Sequence, residues 1–340
     1  MKKYLLPRLG KFYKANMHTH TMVSDGSLTP EEAKAQFKSH GYSIVAFTDH
    51  EVMVPHPELR DEEFLPITSF EISMNTGWGP FHKCYHFCIY SPEEMREVSG
   101  DFSENRVWGR AKDHINDNMR SRMNEHRDYS RESVQRAINI ANEEGCLVSY
   151  NHPGWSNQDY SDYTGLKGIW GVEWHNSGCV RLGYNENDRP ILDLLREGER
   201  MIYPLATDDC HSITDYFGGW IQVRARSLDY ATVFEALRRG DFYSSTGPEI
   251  KSLYIEDGKV VVKTSAAARI FMVTDHRCNA SRSATDKPLR EAEFSLEKLI
   301  ENAKSAPEGR NVWFRIDVAD KYGKFAKSRA YFLDELGLIK

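Results

Sequence analysis

Short, nearly continuous apolar runs that end in ionisable residues recur along the first two hundred positions of the chain. Residues 12–20 read as a strand closing on His18 and His20. Thr29-Pro30-Glu31-Glu32 then opens a helix, with Thr29 as N-cap, Pro30 in the first turn and Glu32 completing a capping box. Ala33 and Phe37 give that helix an apolar face, and Gly41 ends it. The run over 43–50 has the continuous apolar character of a buried parallel strand and ends in Thr48-Asp49-His50. The design repeats. Strands are predicted over 65–71, ending in Glu71, and over 84–90, carrying His86. Further strands cover 146–151, 169–174 and 201–206, followed by His152, His175 and Thr207-Asp208-Asp209-Cys210-His211. Helices are predicted over 132–144 and 188–197, each stopped by a glycine.

Strand, polar terminus, helix is the repeated unit. It predicts an α/β chain with a parallel sheet, most crossovers on one side, and hence a (β/α) barrel. The polar residues gather at the carboxyl ends of the strands, the rim where barrel active sites are built. After about residue 247 the texture changes to short β-branched or alternating runs over 252–256, 259–263, 269–274, 312–318 and 328–333, with a hairpin signal at Asp257-Gly258. The chain is therefore expected to divide into a barrel over 1–247 and a small β-rich, sandwich-like domain over 248–340.

Composition narrows the function classes. A net charge of -6 over 340 residues argues against general nucleic-acid affinity. No apolar run approaches the roughly 20 residues of a membrane span. The basic start lacks the apolar stretch of a signal peptide, so a cytoplasmic protein is expected. Six cysteines lack the density of a disulfide framework and are read as reduced. Oligomeric state is left open.

The candidate chemistry lies at the strand ends. His18 and His20 sit one residue apart, so an extended backbone points both to one face, and Asp25 follows in a glycine-containing turn. Collected in order, the groups are His18, His20, Asp25, His50, Glu71, His86, His152, Asp209 and His211. A single zinc site needs three or four ligands, so nine suit two or three divalent ions, with Glu71 as the natural bridge. Imidazole with carboxylate suits zinc, manganese and iron alike. With three ions the centre keeps a positive excess and favours a small anionic substrate; with two it balances, and a neutral ester or carbamate fits as well.

The ordered segments His18-Thr19-His20 with Ser24-Asp25-Gly26, Thr48-Asp49-His50, Phe70-Glu71-Ile72-Ser73, Asn151-His152-Pro153 and Asp209-Cys210-His211 resemble the motifs of the PHP (polymerase and histidinol phosphatase) superfamily of metal-dependent phosphoesterases. The segments Asn151–Ser156, Val172–Ser177 and Tyr243–Pro248 are similar to its carbaryl-hydrolase-like branch. The resemblance implies a distorted seven-stranded (β/α) barrel binding up to three metals. It implies His18, His20, Glu71 and Asp209 on the first, Glu71, His86 and His152 on the second, and Asp25, His50 and His211 on the third. Where the family usually has Ser-Asp-x-His, this chain has Asp208, and spacing favours Asp209 as the ligand.

The expected reaction is hydrolysis of a small phosphate ester by a hydroxide bridging two metals, with Glu71 holding the bridge. His175 and His82 are candidates to protonate the leaving group, and Arg224 and Arg226 to grip a phosphate or carboxylate. Trp155, Trp174 and Trp78 are candidates to line an aromatic pocket, with core packing the equal alternative. The charge-rich stretch 101–128 reads either as a lid or, more plainly, as a solvated helical excursion. A carboxylic ester, amide or carbamate hydrolase keeps the same metals, and a non-catalytic metal- or ligand-binding module is the third class.

Overall fold

The computed structural model describes residues 2–77, 79–99, 101–122 and 127–339. Trp78, one of the three tryptophans singled out above, lies outside them. The strands are, in chain order, β1 (Lys3–Tyr4), β2 (Lys11–Asn16), β3 (Tyr42–Phe47), β4 (Leu65–Asn75), β5 (Cys84–Tyr90), β6 (Leu147–Tyr150), β7 (Gly171–Asn176), β8 (Tyr203–Thr207), β9 (Trp220–Ala225) and β10 (Phe242–Ser245). They continue with β11 (Ile250–Glu256), β12 (Lys259–Ala267), β13 (Arg269–Thr274), β14 (Ala280–Ser283), β15 (Leu289–Ser295), β16 (Trp313–Ala319), β17 (Phe325–Ser328) and β18 (Tyr331–Phe332).

Local signals account for the helices. Thr29 accepts from the Glu32 backbone and Glu32 reaches back, so the capping box forms and the helix Pro30–Ser39 follows. Its Ala33 and Phe37 pack with Tyr42, Val45 and Phe47. Ser130 caps the helix Arg131–Glu143, which buries Val134, Ala137, Ile138 and Ala141. Burying Val134 and Ile138 alone stabilises by about 3–6 kcal/mol.

The large sheet is mixed, in the order β14-β13-β16-β17-β10-β9-β2-β3-β4-β5-β6-β7-β8, with β18 added to β16. β2, β3 and β4 run parallel, as do β6, β7 and β8. The all-parallel expectation fails at β5, which is antiparallel to both neighbours because β4 and β5 form a long hairpin. It fails again at β9, antiparallel to β2. Among the described residues no ladder joins β8 to β9, so the hydrogen bonding does not close a barrel. The sheet instead curls until the segments after β2 and β8 meet at the rim. Asp209 N–H donates to His18 C=O at 2.9 Å, and His20 N–H to Cys210 C=O at 3.0 Å. That contact brings the first and last ligand segments together.

Beyond residue 247 the chain supplies strands to two sheets. β1, β11, β12 and β15 form a four-stranded sheet, while β13, β14, β16 and β17 extend the large one. Leu253, Val260, Val262, Ile270, Met272, Phe314 and Ile316 share one core between them. Asp257 and Gly258 both take positive φ, as the two-residue hairpin requires. The run 328–333 divides into β17 and β18, and β14, β15 and the helix Glu297–Ala303 are additions that the hydrophobic pattern did not announce. All six cysteines are unpaired. Among the described residues no helix is long and apolar enough to cross a membrane.

Candidate metal centre

The nine strand-end groups converge at the rim. His18 Nε2 lies 3.1 Å from His20 Nε2, 3.2 Å from Glu71 Oε1 and 3.2 Å from Asp209 Oδ1. His86 Nδ1 and His152 Nε2 approach Glu71 Oε1 at 3.3 and 3.5 Å. Asp25 Oδ2 is 3.2 Å from His211 Nε2 and 3.8 Å from His50 Nε2. Four sets have ligand atoms within 4.8 Å of one another: His20, Asp25, His50 and His211; His18, His20 and Asp209; Glu71, His86 and His152; and His18, Glu71 and Cys88. The last adds a thiol that the sequence reading had not put among the ligands.

The local chain explains how these groups are held. Gly26 lets the turn fold tightly, since a Cβ there would lie 2.4 Å from the His20 carbonyl oxygen. Asp49 accepts from the backbone and hydroxyl groups of both Thr21 and Ser24, fixing the turn that carries Asp25. His152 and Asp209 occupy positive φ, a strained backbone that tertiary contacts must enforce. Asn151 donates to Glu71 Oε1 at 2.8 Å.

Glu173 is the residue sequence reasoning passed over. It is buried, and its Oε1 accepts from His18 Nδ1 at 2.8 Å and the Thr207 hydroxyl at 2.6 Å. Its Oε2 accepts from the His152 N–H at 3.0 Å and Asn176 Nδ2 at 2.9 Å. A carboxylate inside the apolar run 169–174 was the available signal. Asp208, by contrast, accepts from Phe217, Gly218 and Gly219 N–H, from the Ser177 hydroxyl and from Asn16 Nδ2. It pins the loop between β8 and β9, and Asp209 is the aspartate that joins the cluster.

The electrostatics match a site built for cations. Burial opposes charge throughout, yet Asp209 and Glu71 raise His20 to about 10. Against the cost of burial, Asp209, Cys88, Glu71 and Glu173 hold His18 well above the usual imidazole range, and Glu71 with Cys84 does the same for His86. Glu71 and Asp209 are depressed well below the usual carboxylate range by the surrounding histidines. His50 drops to about 3, through burial and then repulsion from His20. Four buried ligand atoms, His20 Nδ1, Glu71 Oε2, His86 Nδ1 and Asp209 Oδ1, make no hydrogen bond. Each such atom costs about 1–3 kcal/mol unless a partner satisfies it. Divalent cations are the partner this donor set fits.

A cavity of about 900 Å³ opens above the cluster, with Asp25, His50, Glu71, His86, His152, Asp209 and His211 facing it. His82 and Trp155 line its wall. The stretch after residue 101 contributes Arg106, Trp108 and Lys112, so it borders the site, and Arg181 adds a third cation. Other expected residues are not brought there. His175 faces Ser177 Oγ at 3.2 Å, and burial, helped by Lys324, holds it at about 4, so near neutrality it is a neutral imidazole rather than the imidazolium a general acid needs. Arg224 pairs with Phe12 across β9 and β2, at the end of β2 away from His18, and donates to the Arg8 carbonyl. Arg226 follows it past the end of β9, because β9 runs antiparallel. Trp174 is buried and donates to Ser244 Oγ.

No family model and no curated protein matches the chain. Solved structures resemble it more distantly. One is a two-domain protein from Bacteroides vulgatus ATCC 8482 containing a predicted PHP-like metal-dependent phosphoesterase, 14% identical, with a TM-score of 0.45 and 97% of each chain covered. A second, from Bifidobacterium adolescentis ATCC 15703 and assigned as a metal-dependent phosphoesterase, is 15% identical with a TM-score of 0.40, covering 69% of this chain and 98% of the other. An amidohydrolase from Chromobacterium violaceum, with bound sulfate and no metal, is 16% identical with a TM-score of 0.40, covering 58% of this chain and 88% of the other. The chain's structural neighbours are thus PHP-like metal-dependent phosphoesterases and an amidohydrolase.

Proposed function

We propose that this chain is a metal-dependent phosphoesterase that hydrolyses a small phosphate ester at a centre of up to three divalent ions. The observation that carries the reading is the largely buried cluster of six histidines and three carboxylates, with Asp25, His86 and His211 part-exposed at its edge and four unsatisfied ligand atoms. In this reading His18, His20, Glu71 and Asp209 hold one ion, Glu71, His86 and His152 a second, and Asp25, His50 and His211 a third, on a sheet read as a distorted barrel over 1–247. Residues 248–340 form the accompanying β-rich domain. Bound divalent ions supply Lewis acidity, drawing the pKa of water towards neutrality and offsetting charge on phosphoryl oxygens. Three such ions exceed the charge of Asp25, Glu71 and Asp209, and the excess suits an anionic ester.

The protein's own groups do the rest. Glu173 accepts His18 Nδ1–H and so presents Nε2 to the cluster. Asn151 fixes the Glu71 carboxylate that two ligand sets share. Arg106 and Lys112 on the cavity wall attract an anion, while Arg181 there is paired with Asp215. His82 is the imidazole on that wall available to hold a proton at the leaving oxygen.

The test is turnover of p-nitrophenyl phosphate, its bis ester and p-nitrophenyl acetate by metal-loaded protein. The reading expects phosphate-ester cleavage that disappears in Glu71→Ala. Cleavage of the acetate alone overturns it in favour of a carboxylic ester, amide or carbamate hydrolase. No turnover of any ester supports a non-catalytic module.

A further inference from the structure

Trp108 stands on the cavity wall and is 47% exposed, although both its flanks are fastened down. On one side Val107 is buried in a small core with Phe102, Ala111 and Met119, packed against Val23 and Val52 of the rim loops. On the other, Arg110 donates to the carbonyls of Met22 at 2.9 Å and Gly26 at 2.6 Å, the turn that carries Asp25. The wall is therefore anchored to the ligand-bearing loop itself, and Trp108 takes no part in the core that anchors it.

The indole has a counterpart. Trp108 lies 5.6 Å from the His50 ring, beside the set that includes Asp25 and His211. Trp155 lies 5.5 Å from His86 and 5.0 Å from His152, beside the set built on Glu71. Glu186 holds the Trp155 loop by accepting from Gly154 and Trp155 N–H. Two indoles thus stand beside different ligand sets, each on a segment tied to the rim, each lining the cavity. Both indoles border the cavity beside candidate ligands, and indole packs best against flat, apolar groups.

From this arrangement we infer that Trp108, with Trp155, selects an ester whose organic group is a planar aromatic ring. The inference rests on reading the cluster as an oxyanion-binding centre, and it names the kind of alcohol that centre releases. The atoms balance as in any ester hydrolysis: water adds to phosphorus, the bond from phosphorus to the aryl oxygen breaks, and the phenol leaves with a proton.

Calorimetric titration of metal-loaded protein with phenylphosphonate and methylphosphonate tests it, since neither can be hydrolysed. The expected result is phenylphosphonate binding about tenfold more tightly, the order of one stacked and buried ring. In Trp108→Ala the preference should fall to within about twofold, and Trp108→Phe should restore most of it. Equal affinities in the wild-type protein, or a preference undiminished in Trp108→Ala, overturn the inference. Phenyl selectivity without hydrolysis of phenyl phosphate would leave the inference standing and remove the phosphoesterase reading. Failure of both phosphonates to bind overturns both.

Discussion

Replacing Glu173 by glutamine changes one atom and reverses the two hydrogen bonds made at Oε1. Two donors meet Oε2 of Glu173, the His152 N–H and Asn176 Nδ2, and neither can accept. The glutamine carbonyl must therefore take that side. Its amide then faces Thr207 Oγ1 and His18 Nδ1 at the positions where Oε1 now lies 2.6 and 2.8 Å away. To accept from the amide, His18 must carry its proton on Nε2, the atom that lies 3.2 Å from Glu71 and Asp209. The substitution thus blocks a metal ligand that it does not touch. Losing such an orienting partner typically costs 10–100-fold in metal affinity, about 1.4–2.8 kcal/mol. The shape is kept and most hydrogen bonds survive, so the metal-free protein should stay folded, with a thermal midpoint lower by no more than about 5 °C. Titration of chelator-stripped protein with Mn²⁺, beside circular dichroism, reads both quantities. Metal affinity within twofold of wild type in a folded Glu173→Gln protein would refute the reasoning.

Three further outcomes are expected. Asp208→Ala should lower stability by about 3–5 kcal/mol in chemical denaturation, because three backbone N–H groups of the β8–β9 loop lose their acceptor; Asp209→Ala should leave the fold and lose metal and turnover, and the opposite pattern would exchange the two roles. Burial keeps His175 neutral down to about pH 4, whereas the unfolded chain protonates it near 6.5. The native state therefore binds fewer protons between those values, and stability falls as pH drops from about 6.5 towards 4; His175→Gln should flatten that limb of a thermal-midpoint profile, and an unchanged limb would remove His175 as its source. Saturating metal should raise the thermal midpoint of chelator-stripped protein by at least about 5 °C, since ions that bind only the native state stabilise by about 4 kcal/mol at a thousandfold excess over Kd; no shift would argue against a folded-state centre.

Much of the site was legible because metal ligation is chemically narrow. His18, His20, Glu71, His152 and His211 each end or follow an apolar run, and that pattern alone put them on one rim. The helix cap at Thr29 is local chemistry and appears where the residues predict it. What the residues could not convey is direction. The strand β9 went unread, and its antiparallel pairing with β2 carries Arg224 and Arg226 to the end away from His18. His175 was misread for a related reason: alternation gives a face, but burial decides whether an imidazole there holds a proton. Glu173 stayed unremarked because its role lies in hydrogen bonds to residues distant in the chain, among them His18 and Thr207. The same holds for Arg110, whose contacts turn a charge-rich excursion into a wall of the cavity.

The central claim is that several ions, gathered by shared ligands, act together on a phosphate ester. Phosphate released from phenyl phosphate, followed as divalent metal is added in counted equivalents per chain, addresses it most directly. The account predicts negligible release up to one equivalent, a steep rise beyond it, saturation by three, and silence throughout in Glu71→Ala. Release that saturates at or before the first equivalent, or that persists without Glu71, would contradict it.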